Sequence, residues 1–210
     1  MATSATAKNW RVAASSMNPG NLWGGLAIPG AAARLRIHEA DGTPDATANA
    51  SAFHYGATKG GADLMIAPTF DKFYADEFRG AIITNVGSLE MGIAAELLGL
   101  TDIVAMNRLL PGIATYATGA LSGDDAAYTE SRIGIKAITY ESLAHIFELR
   151  ETAGEWGIFH LYSALNDAGI KWKQARKEQA GTPVNFVGFE ITTRAATDTM
   201  GCYWKSVQTS

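Results

Sequence analysis

Few residues of this chain combine type and spacing in a way that could do chemistry. The candidates are four histidines, one cysteine, the adjacent carboxylates Asp76 and Glu77, and the cluster Gly56-Ala57-Thr58-Lys59-Gly60-Gly61. A phosphate-binding loop needs its lysine after the last glycine, followed by a Ser or Thr for the metal. Here Lys59 precedes Gly60 and Gly61, so the cluster is expected to be a glycine-shaped turn joining two strands, with Gly56, Gly60 and Gly61 supplying positive φ. His38, His54, His145 and His160 lack HExxH spacing and a nearby acidic set, so they suit core or interface positions better than a zinc site. No Gly-x-Ser-x-Gly elbow is present, and Cys202 sits beside Tyr203-Trp204, which favours a packed thiol over a nucleophile. Asp76 and Glu77 point to opposite faces of an extended chain, which disfavours an acid–base pair. The basic cluster Lys171, Lys173, Arg176 and Lys177 interleaves with Trp172 and reads as an exposed strand or subunit interface. No cofactor, metal or catalytic site is expected, and the chain is not read as an enzyme.

The elements around these residues are mainly β. Ala33 to Glu39 alternates, with Leu35 and Ile37 on one face, and a first strand is expected at Trp10 to Ala14. Turns are expected at Asn18-Pro19-Gly20 and Trp23-Gly24-Gly25, and a polar exposed loop from Thr43 to Ser51. From Ser88 to Leu98, strict alternation of Leu89, Met91, Ile93, Ala95 and Leu97 competes with a helix-favouring composition; Gly87, Gly92 and Gly99 decide for a strand. Thr101 to Leu110 is the expected helix, capped by Thr101 or Asp102 and stopped by Pro111-Gly112. After a small-residue connection from Thr118 to Ala127, strands are expected at 132–138, 142–149, 156–165, 169–176 and 184–192, with a turn at Asn166-Asp167-Ala168-Gly169. The expected fold class is mainly β (α+β): an antiparallel β-sandwich or barrel with one flanking α-helix, a single domain over 1–210 with short flexible termini.

Composition limits the function classes. The 210 residues are 47% hydrophobic and 18% charged, which suits a folded chain with a sizeable core. A net charge of −4 without a long basic run argues against tight nucleic-acid binding. One cysteine cannot form an internal disulfide. No leader-like N-terminus and no apolar run long enough to span a bilayer is apparent, so membrane insertion is not expected. The sequon Asn49-Ala50-Ser51 is read as chance.

Several segments together resemble the major tail (tail-tube) protein of long-tailed bacteriophages. They are His54 to Gly61 entering a strand, the acidic Asp76-Glu77 turn, Glu90 to Glu96 on a long strand, and the helix after Thr101. Phe159-His160-Leu161-Tyr162-Ser163-Ala164 and the closing Pro183 to Phe189 complete the set. The resemblance implies hexameric rings stacking into a hollow tube in the virion tail, assembled in the host bacterial cytoplasm. The implied partners are the chain itself, a tape-measure protein in the lumen, a tail terminator and a distal tail protein at the tube ends, and DNA in transit. Asp71 to Gly87 is then expected to be a long loop or hairpin reaching a neighbouring subunit or ring through Phe73, Tyr74, Asp76, Glu77, Phe78 and Arg79. Alternatives from other classes are a tail terminator or head decoration protein, and a carbohydrate-binding β-sandwich using the five tryptophans.

Overall fold

A computed structural model describes residues 20–30, 33–38, 41–74, 81–98, 103–112, 114–120, 127–149, 155–171, 181–195 and 197–206; for 72–74, 81–84, 103, 114–120, 127–129 and 206 only the backbone is described. Among these residues the chain forms β1 (Asn21–Gly24), β2 (Phe53–Tyr74), β3 (Ala81–Leu98), α1 (Ile103–Leu109), β4 (Ala114–Ala120), β5 (Ala127–Ile133), β6 (Glu141–Glu148), β7 (Trp156–Asn166), β8 (Gly181–Gly188) and β9 (Gly201–Ser206). The sheet runs β6-β1-β2-β3-β8-β7-β9, and β6 also pairs with β7. Six strands thus close on themselves as an antiparallel barrel, so most edges that would invite uncontrolled pairing are consumed within the subunit.

Closure depends on β7 dividing one of its edges. β6 pairs with β7 from Glu141↔Ala164 to Glu148↔Trp156. On the other edge, Trp156 to Leu161 pair with β9, whereas Ala164, Leu165 and Asn166 pair with Gly188, Val187 and Phe186 of β8. A strand flanked on both edges and covered on both faces must be apolar almost throughout. β7, Trp-Gly-Ile-Phe-His-Leu-Tyr-Ser-Ala-Leu-Asn, is buried at nearly every position.

Two apolar clusters sandwich this wall. Alternate residues of the staves fill the interior, among them Leu22, Tyr55, Met91, Ile93, Leu97, Leu143, Phe159, Leu161, Val184 and Phe186; Ala105 and Leu109 of α1 join them. The second cluster comprises Leu26, Leu35, Ala144, Ile146, Trp156 and Ile158, where Leu26, Leu35, Ile37 and Ala52 cover the outer face of β6 and β7. Asn49 pins that cover. Its Oδ1 accepts from Ala27 N at 3.1 Å and its Nδ2 donates to Arg36 O at 3.4 Å and Asp45 O at 3.1 Å. Gly42, at φ 68°, lies directly on the Trp156 ring, where a β-carbon would collide with it.

The mainly β class with one helix is as expected, and the strands at 142–149 and 156–165 fall within a residue of β6 and β7. Ser88 to Leu98 is indeed strand, as part of a longer β3. Elsewhere the structure corrects the expectations. Gly56, Lys59, Gly60 and Gly61 do not form a turn between strands: they lie inside β2, where the register steps from Thr58↔Leu97 to Ala62↔Ala95. Three residues, Lys59 to Gly61, oppose one, Glu96, a bulge that the positive φ of Gly60 (75°) and Gly61 (104°) accommodates. Trp23-Gly24 belongs to β1, with the bend deferred to Gly25 at φ 66°. Of Ala33 to Glu39, the described residues 33–38 form only the bridge Ile37↔Pro44, although Leu35 is buried as its alternation requires. β5 ends at Ile133, so residues 134–138 are not strand; β8 ends at Gly188 rather than 192. Lys171 and its two predecessors are not strand either. Thr43 to Ser51 is only partly exposed, because Pro44 and Asn49 are buried. Trp10 to Ala14, the capping Thr101 and Asp102, and Trp172, Lys173, Arg176 and Lys177 lie outside the described residues.

Candidate assembly surface

β2 and β3 are far longer than the barrel needs. β1 covers β2 only from Phe53 to Ala57, and β8 covers β3 only from Gly92 to Leu98. The two strands remain paired with each other out to Tyr74↔Ala81. They therefore leave the barrel as a two-stranded arm from Ile66 to Tyr74 and from Ala81 to Met91, about 27 Å long at the usual strand rise. Asp71 to Gly87 was expected as a loop or hairpin, and the structure resolves the choice as hairpin: Phe73 and Tyr74 belong to β2. Asp76, Glu77, Phe78 and Arg79 lie outside the described residues.

One face of the arm is apolar. Ile66, Pro68 and Phe70 alternate along β2, opposite Met91, Leu89 and Val86 respectively. Met91 reaches the core, but Ile66 is 54% exposed, Phe70 54%, Val86 63% and Leu89 40%. An isolated two-stranded ribbon is marginal in water, and a contiguous row of exposed apolar side chains marks a contact surface. Sequence reading missed these residues because an alternating apolar row signals burial without saying in what. The extra length of the row beyond a typical strand was the available signal. Devices against random pairing accompany it: Pro68, the exposed carboxylates of Asp63, Asp71 and Glu90, and a register shift between Thr69 and Phe70. Thr69 and Ser88 hydroxyls meet across the strands at 2.7 Å.

At the foot of the arm, the bulge lines an open depression of about 960 Å³, facing His145 and Phe147 of β6 and Val184 of β8. Lys59 Nζ is held by Glu96 Oε1 at 3.2 Å. A second depression, between α1 and β6, contains Arg108 and Glu141. Arg108 donates to Glu141 Oε1 at 2.6 Å and Tyr55 Oη donates to Oε2. Burial, followed by the adjacent Glu141 charge, pushes the Tyr55 hydroxyl far above its ordinary range. This network ties the helix to the barrel wall.

The remaining candidates fall apart from one another. His145 is buried in the barrel wall, with Nε2 3.4 Å from Thr58 Oγ1. His160 is buried on β7, facing the opposite side of the sheet from His145, with Nε2 2.7 Å from Ser142 Oγ. The Nδ1 atoms of both are buried without a partner among the described residues, and burial lowers each to about 4. Both are therefore neutral at pH 7. Burial likewise raises the Cys202 thiol, which leaves little thiolate to react. His54 bonds Asn21 Oδ1 at 3.1 Å. Among the described residues no group of three or more His, Cys, Asp or Glu could hold a metal ion, and no helix is long and apolar enough to cross a membrane. No protein-family model matches the chain, and no curated protein matches it.

Proposed function

We propose that this chain is a self-assembling structural subunit of the tail-tube type, forming hexameric rings that stack into a hollow phage tail tube. The observation that carries the reading is the arm: a closed barrel extends two of its own staves beyond its wall with an exposed apolar face and with outer edges that no strand pairs among the described residues. Such a surface repays its exposure when it is covered by another copy. The resemblance noted in the sequence adds the setting, a virion tail assembled in the host cytoplasm. A tape-measure protein and then DNA occupy the lumen, and a terminator and a distal tail protein close the ends.

Negative-stain electron microscopy of the purified protein across a concentration series tests this reading. Hollow tubes of stacked six-fold rings are the expected result. Persistent monomers at high concentration would sink the proposal, and single closed rings that never stack would favour a terminator or a decoration protein.

A further inference from the structure

We propose that the apolar face of the arm docks on the segment Ile133–Tyr140 of a second copy of this chain; this rests on the self-assembly reading and names the receiving surface. After β5, residues 134–140 belong to no helix, strand or turn. Ile133 is 75% exposed, Ile138 56% and Tyr140 50%, and Ile135, at 102%, buries nothing within the subunit. Phe189, directly after β8, adds to the row through a ring contact with Tyr140 at 5.0 Å. The segment is held in place without being covered: Lys136 N donates to Gly112 O at 2.7 Å, and Ile138 packs against Gly112, where φ is 78°. No strand pairs with residues 134–140 among the described residues.

The two surfaces complement each other in three respects. Ile66, Pro68, Phe70, Val86 and Leu89 offer an apolar row to another apolar row of similar length. On the face opposite the apolar row the arm carries exposed Asp71 and Glu90, whereas Ser131 to Tyr140 contains Arg132 and Lys136 and no carboxylate; Arg132 is shared with Glu130 at 2.6 Å. The outer edge of β2 from Ile66 to Tyr74, which no strand pairs among the described residues, presents backbone donors and acceptors to a segment that lacks a ladder of its own, the geometry of strand addition. In the proposed rings this contact between unlike surfaces runs head-to-tail and propagates into a ring or an open assembly, whereas the same contact exchanged reciprocally, or an arm-to-arm contact, would stop at a dimer.

Cysteine cross-linking decides the matter. In a Cys202→Ser background, each chain carrying both Phe70→Cys and Ile135→Cys should give a ladder of covalent multimers on mild oxidation, since a disulfide needs the two backbones within about 7 Å. Phe70→Cys paired with Tyr203→Cys, another exposed position, should give none. Ile135→Asp should leave a subunit with an unchanged melting temperature and reduce assembled particles at least tenfold. Tubes or rings that form normally but give no 70–135 ladder overturn this inference while leaving the assembly reading intact. Dimers from Phe70→Cys alone in place of the ladder, or an equal ladder from the control pair, overturn it as well. Absence of any assembly at all overturns both.

Discussion

The two buried histidines make the stability of the subunit depend on pH through single atoms. His145 and His160 are neutral in the folded state because burial lowers both to about 4, whereas an unfolded chain holds histidine near its ordinary value of about 6.5. Between these limits the unfolded state binds more protons, so stability is full above about pH 6.5 and is lost progressively as the pH falls toward 4. Each group contributes on the order of 2 kcal/mol between pH 7 and 5. We expect the urea midpoint to fall over that range, and His160→Gln to reduce the fall by about half. A midpoint independent of pH would contradict this account.

At the scale of the element, the arm is where length becomes function. A deletion of residues 68–88 should leave the barrel ladders Phe53–Ala57 with β1 and Gly92–Leu98 with β8 untouched. We expect a folded monomer by circular dichroism and size exclusion that forms no tubes; tubes of normal length from this variant would refute the role given to the arm. The same element marks how far the sequence could be read. The alternation of Leu89 to Leu97 was legible because one side of β3 faces the core over its inner half, and the apolar run of β7 because it is covered on both faces. What was illegible depended on partners far along the chain. The glycines at 56, 60 and 61 read as a turn because positive φ serves turns and bulges alike. Only the register against β3 separates the two. Ile135 read as a strand residue because alternation alone does not reveal whether a neighbouring strand is present, whereas Ile133 is the last residue of β5. β1 was hidden because its four residues include a glycine and sit among turn formers.

At the scale of the whole molecule, charge and closure act together. The net charge is −4; on the tail-tube proposal, a conduit for DNA would repel phosphate, and we expect the inner wall of such a tube to carry more Asp and Glu than Lys and Arg. A tube reconstruction with a predominantly basic lumen would count against a conduit. Closure within the subunit serves the same end: a barrel whose staves are already paired leaves association to a restricted set of surfaces, which permits ordered growth without general stickiness.

β2 and β3 pass from the arm into the barrel without interruption, and this determines how the subunit bears a load. A pull at the tip runs lengthwise along Phe53–Ala57 against β1 and along Gly92–Leu98 against β8. The hydrogen bonds of each ladder are then strained together in shear and cannot open one at a time like a zip. A filament joined through such arms resists stretching with the strength of whole ladders, and it bends most easily where one subunit ends and the next begins.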